Sequence, residues 1–184
     1  MDFNRIINGM LRALRLDKAF FEEVEHDPTY NQDALGVVIL VSLLSGVGSF
    51  LGGLIEGRGF LNAILGLIVG ILLAVVGYFL WVYVTHWIGT RLFKGTGDRG
   101  EVQRALGFAY SPQILGVLSF IPCVGGIIAL VAWVWSIAAA FVAVRQSLDQ
   151  DDTNAALTVI ISGIAVLIVI AVVSLILGGL GLGA

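Results

Sequence analysis

The sequence predicts an all-α fold: a polytopic membrane protein with five transmembrane helices, preceded by an N-terminal amphipathic interfacial helix. Three observations carry this. Of 184 residues, 58% are apolar and 12% charged, with a mean hydropathy of +0.99, far from the composition of soluble globular domains. The apolar residues gather into runs of about 20 or more, the length a bilayer core requires. The charged residues fall between those runs. This divides the chain into an amphipathic segment (1–28), a transmembrane domain (34–177) and a Gly-rich tail (178–184). No apolar core of about 7–15 residues follows the first basic residues, so no cleavable signal peptide is expected there.

In the first segment Phe3, Ile6, Ile7, Met10, Leu11 and Leu14 form one stripe at helical period. Arg5, Arg12, Arg15 and Lys18 sit off that stripe, the pattern of a helix lying in a membrane interface. Packing beneath the bundle is the alternative. Phe20, Phe21 and Val24 extend the apolar contact, and Asp27-Pro28 ends it. Glu22, Glu23, Glu25, Asp27 and Asp33 make an acidic approach to the first span.

The first span is expected from Ala34 to Ile55 and the second from Leu61 to Ile88, joined by a tight turn, Glu56-Gly-Arg-Gly59. The second is longer than a bilayer requires and should tilt or project. Trp81, Tyr83, His86 and Trp87 near its end form an aromatic belt. The third span starts near Glu101, kinks at Pro112 and ends at Pro122; the fourth covers 124–144 and the fifth 155–177, with Asp152 or Thr153 as its cap. Pro122, Gly125 and Gly126 form a hinge between the third and fourth spans, the glycines supplying positive φ where the turn needs it. Nine of the ten basic residues (Arg5, Arg12, Arg15, Lys18, Arg91, Lys94, Arg99, Arg104 and Arg145) then share one side, against Arg58 alone. The positive-inside rule places that side, with the N-terminus, in the cytoplasm and the C-terminus outside.

Pro112 removes a donor to the carbonyl of Phe108, which Ser111, a neighbouring helix or water must replace. Arg104, Tyr110, Ser111, Pro112 and Gln113 are therefore the candidate pocket. Gly48 and Gly52, with Ser45 and Ser49, and Gly66, Gly70 and Gly77 form small-residue faces for helix packing, inside one chain or between copies. None of the 23 acidic or basic side chains lies within the apolar core of a span, which argues against an ion-coupled carrier. No acid–base or nucleophile–base pair can be assembled, so no catalytic residue is assigned. His26 lacks a partner at metal-ligand spacing, His86 reads as interfacial, and Cys123 as a packed small group. Asp149, Asp151 and Asp152 read as a solvated loop and helix cap. No metal, cofactor or nucleic acid is expected.

The segment Gly107-Phe108-Ala109-Tyr110-Ser111-Pro112, with Arg104-Ala-Leu before it and Ile121-Pro-Cys-Val-Gly125 after it, resembles the Yip domain family. These are Ypt/Rab-interacting membrane proteins and their prokaryotic relatives. The resemblance implies a five-span architecture with the N-terminus in the cytoplasm, and a non-enzymatic scaffold or adaptor in membrane organisation or trafficking. The Asp-Leu-x-Gly-Pro motif of eukaryotic members does not precede the first span. Binding of a Rab-type GTPase is therefore not carried over, and a prokaryotic cell-membrane relative fits better. The expected partners are membrane lipids, and either a protein or a second copy through the small-residue faces. The alternative function is a transporter, channel or lipid-handling protein with a groove beside Pro112.

Overall fold

The computed structural model describes residues 2–57 and 59–179. Seven α-helices and one long 3₁₀ segment follow in order: α1 Phe3–Leu14, α2 Lys18–His26, α3 Tyr30–Ile55, α4 Phe60–Phe93, α5 Arg99–Ala109, the 3₁₀ segment Ser111–Leu118, α6 Gly125–Ser147 and α7 Asp152–Gly179. Residues 180–184, most of the expected tail, lie outside the described residues, as does Arg58 in the α3–α4 turn.

Among the described residues four helices are long and apolar enough to cross a membrane: α3, α4, α6 and residues Asp152–Val172 of α7. The expectation of five transmembrane helices is therefore corrected to four. The third expected span is not a kinked helix. α5 stops at Ala109, and the chain continues through Pro112 as a 3₁₀ helix. Proline explains the stop. Without an N–H at Pro112 the α-ladder is interrupted, and Ser111 Oγ donates to the orphaned Phe108 carbonyl at 2.6 Å.

The broken segment nonetheless runs the length of α3 in the same direction. Gly107 lies against Ala34, Ser45 Oγ donates to the Gln113 carbonyl at 2.9 Å, and Gly52 faces Phe120. From Ala34 to Gly52 α3 rises about 27 Å at about 1.5 Å per residue. The partner covers that distance in 13 steps, Gly107 to Phe120, which requires the roughly 2 Å rise of a 3₁₀ helix. A β-carbon on Gly48 would lie 2.5 Å from the Gly116 carbonyl oxygen and 2.7 Å from that of Val117, so only glycine admits this backbone. α6 then starts beside Ser119 and returns.

The turn before α6 departs from expectation in detail. The positive φ falls on Cys123 (66°), not on a glycine. Gly125 is buried in the first turn of α6, where a side chain would collide with the carbonyl of Ser119; Gly126 meets open space. Cys123 is exposed rather than packed.

The buried core lies at one end of the bundle, in a cap formed by α1, α2, α5, the start of α3 and the last turns of α4 and α6. Phe20, Tyr30 and Phe108 pack edge to face, with centroids 5.0–6.2 Å apart. The expected continuous N-terminal helix is two helices, broken at Leu16 (φ 56°) and restarted by Asp17, whose carboxylate accepts from the Phe20 amide. Arg12 bonds Asp17 and Glu23 at 2.8 and 2.7 Å, holding the corner. α4 extends to Phe93, about 51 Å in all, so its end reaches beyond an apolar core of about 30 Å into this cap. α7 is capped by Asp151, one residue earlier than expected, through the Asn154 amide at 2.8 Å.

Candidate functional site

Away from the cap the bundle loosens. α4, α6 and α7 diverge around a groove of about 610 Å³, within the range of small-molecule sites. Its inner wall is Tyr110 and Gln113, from the break after α5; its sides carry Leu73, Trp81, Ile137, Val159 and Leu167, among others. Gly70, Gly77 and Gly163 line it too. A β-carbon at any of the three would meet nothing within 4 Å, so these glycines leave space rather than bring helices together.

Among the described residues that line the groove there is no Asp, Glu, Lys, Arg or His. Two residues of its lining carry polar atoms that are sealed from it and unpaired. Ser136, 7% exposed, has a buried hydroxyl with no hydrogen bond, and so has the buried Nε1 of Trp81. Among the described residues the Tyr110 hydroxyl and the Gln113 side-chain amide also lack protein partners. The Gln113 backbone carbonyl, by contrast, is taken by Ser45. Burying a donor unpaired costs about 1–3 kcal/mol, and no water competes within a bilayer core.

A second recess of about 210 Å³ opens between α3 and α4, lined by Ser42, Ser45, Ser49, Gly46, Gly66 and others. Tyr110 and Gln113 line this recess as well, so they form the partition between the two. The structure thus brings Tyr110 and Gln113 together. It places Ser111 and Pro112 behind them, buried, with Ser111 spent on Phe108.

Arg104 lies elsewhere. It is buried in the cap, donating through Nε to the Val24 carbonyl (2.9 Å), through Nη2 to the Glu25 carbonyl, and through Nη1 to Asn31 Oδ1 (3.2 Å). These carbonyls end α2. Pro28, four residues after Val24, has no N–H to return to it, and the Thr29 amide goes to Asp27 instead. Arg104 therefore caps α2 across space and ties it to α5. Beside it the Glu25 side chain is buried with Oε2 unpaired. Burial, reinforced by Asp149, Glu101 and Glu22 and opposed by His26, pushes the Glu25 carboxyl up to about 7.

The acidic loop is fully engaged. Asp149 accepts from Thr96 Oγ1 (2.6 Å), Asp151 caps α7, and Asp152 pairs with Arg145 at 2.9 Å. Among the described residues no three His, Cys, Asp or Glu side chains are grouped as metal ligands. Of the small-residue faces, Gly48 presses on the 3₁₀ segment and Gly52 touches Phe120, whereas Gly66, Gly70 and Gly77 touch nothing.

Sequence reasoning did not single out Ser136 or Gly163, and it read Trp81 only as part of a belt. A signal for Ser136 existed: it is the only hydroxyl between Gly126 and Arg145. The family described as Yip1 domain matches residues 12–174. No curated protein matches the chain, and no solved structure does.

Proposed function

The chain belongs to the Yip1 domain family, and from that membership we propose that this multi-pass membrane protein is a non-enzymatic scaffold that presents its cap to a protein partner. The observation that carries the reading is where the packing is densest. The largest fully buried side chains, among them Phe20, Phe21, Leu106 and Phe108, lie in the cap, and Arg104 fixes α2 within it. A densely packed, charged platform standing on apolar helices suits docking.

Nine of the ten basic residues lie on the segments that meet at the cap, so the cap faces the cytoplasm of a cell membrane. The C-terminus then lies outside, because α3, α4, the broken segment, α6 and α7 make five passages. α1 carries two apolar faces. Ile6, Met10 and Ala13 are buried against the bundle, while Phe3 and Leu11 stay 67% and 48% exposed. The exposed pair lies in the lipid headgroup region, at the level where Trp135 Nε1 donates to the Leu14 carbonyl (3.0 Å). Pro122 and Gly125 act as the hinge between the broken segment and α6.

Site-specific photo-crosslinkers at Lys18, Glu22 and Arg99 test the scaffold in cells, with Leu65 and Leu72 as lipid-facing controls. The cap positions should each give the same discrete protein adduct, and the controls none. Cap positions that give no discrete adduct would contradict the scaffold.

A further inference from the structure

We propose that the outward face of α4 at the cap end binds one anionic phospholipid of the bilayer, with Arg91 and Lys94 receiving its phosphate. The site requires only that α4 crosses the membrane, and it is independent of any protein docked on the cap.

The last turns of α4 have two faces. Val82, Thr85, Ile88 and Gly89 are buried, and Gly89 is pressed against Leu148, Thr158 and Gln150. Tyr83, Trp87, Arg91 and Lys94 follow one another at i, i+4, i+8 and i+11, and all four are exposed. Beyond the helix the Gly95 amide donates to the Gly89 carbonyl (2.9 Å) and the Thr96 amide to the Leu148 carbonyl (3.1 Å). The inward contacts therefore fix the outward side chains as a set.

The charge of this face is unanswered within the protein. Arg5, Arg12 and Arg145 each pair with a carboxylate, whereas Arg91 and Lys94 pair with none among the described residues. The carboxylates of the adjoining loop are engaged elsewhere: Asp98 and Glu101 cap α5, and Asp149 accepts from Thr96. Three residues apart on one helix, Arg91 and Lys94 have β-carbons about 5–6 Å apart. Both can reach one phosphate, and without one they repel each other. Arg99 adds a third positive charge at the margin, its guanidinium 5.7 Å from the centre of the Tyr83 ring.

The same face continues into the bilayer. Leu72 and Val76 precede Tyr83 at helical spacing, and they, Tyr83 and Trp87 are all more than half exposed. Read along α4, the face is apolar, then aromatic, then basic. From Val76 to Arg91 the helix rises about 22 Å. One leaflet, half an apolar core of about 30 Å plus its headgroup layer, is about 20–22 Å deep. A phospholipid laid on this face puts its chains on Leu72 and Val76 and its phosphate at Arg91 and Lys94. Its ester carbonyls then fall at Tyr83 and Trp87, whose O–H and N–H have no protein partner among the described residues. A zwitterionic lipid brings a cation of its own, which the basic pair repels.

The test compares the full chain in nanodiscs of phosphatidylcholine alone and of phosphatidylcholine with phosphatidylglycerol. Phosphatidylglycerol should raise the melting temperature by about 2–4 °C. Native mass spectrometry of protein released from the mixed discs should find it retained over phosphatidylcholine by about tenfold. The double variant Arg91→Gln/Lys94→Gln should lose both the shift and the preference. Cations that served only the dipole at the end of α4 would instead change the melting temperature equally in the two discs. Arg15→Gln/Lys18→Gln removes two exposed cations at the α1–α2 corner and should leave both effects in place. Three results would overturn the site: no preference for phosphatidylglycerol in the wild type, equal losses in the two double variants, or the same shift produced by inorganic phosphate in phosphatidylcholine discs.

Discussion

The cap and the membrane half use the same residue to opposite ends. In the cap, Gly9 meets Phe20 and Phe108, Gly97 meets the Ser147 backbone, and Gly107 meets Ala34, each so closely that no β-carbon fits. In the membrane half Gly66, Gly70, Gly77 and Gly163 have nothing within 4 Å. Glycine buys close approach in one half and empty space in the other. The polar groups divide less cleanly. Arg104, Arg12 and Asp151 are satisfied several times over in the cap, although Glu25 Oε2 and Ser147 Oγ there are buried without a partner, as Trp81 Nε1 and Ser136 Oγ are in the membrane half. One half is tightly packed throughout. The other has room for something else.

Paired glycine substitutions test this contrast with the largest effect. Gly107→Val drives a branched side chain into the Ala34 backbone, 3.0 Å from where even a β-carbon would lie, and into the Tyr78 hydroxyl at 3.1 Å. A cost of about 3 kcal/mol or more is expected, read as a collapse of melting temperature and detergent-extracted yield. Gly66→Val, in open space, should change stability by no more than about 0.5 kcal/mol. Equal losses would mean that the two halves are packed alike.

Arg104→Met should come next. The apolar stem still fills the space, but the Val24 and Glu25 carbonyls lose their donor. About 2–4 kcal/mol is expected, with protease cleavage appearing first between Leu16 and Tyr30 while α3 to α7 stay inserted. Cleavage spread over the whole chain would show that α2 is not a separately tethered unit.

The smallest effect sharpens the comparison with pH. Glu25 holds its proton to about 7 in the folded cap but loses it near 4.5 when unfolded. Between these values the folded state binds the extra proton, so stability declines as pH rises through the window. A fall of about 1–2 kcal/mol from pH 5 to pH 8 is expected, and Glu25→Gln should flatten it and raise the melting temperature at pH 8. A variant with the same slope would assign the dependence to other groups.

The sequence made the long helices plain because α3, α4, α6 and α7 are uninterrupted apolar runs, and it named Ser111 as one of three candidate donors for Phe108, the one the structure uses. It could not show that the third passage abandons the α-helix. That follows from the distance the chain must cover beside α3, set by the Gly48 contact. Arg104 was attached to the pocket by proximity in sequence. Its partners are backbone carbonyls 79 and 80 residues away, and the only local trace of them is the missing N–H of Pro28. The groove was half legible. Tyr110 and Gln113 stand beside an obvious break, but their convergence with Trp81 and Ser136 depends on how far α4, α6 and α7 diverge, and apolar periodicity does not encode that.

The central claim is that the cap is tightly packed and the membrane half leaves a groove open. A density map of the full chain in nanodiscs made from its native lipids tests it most directly. The account predicts elongated non-protein density in the groove, beside Tyr110 and Gln113, and none inside the cap. A map with α4, α6 and α7 closed on one another and their own side chains filling that volume would contradict it.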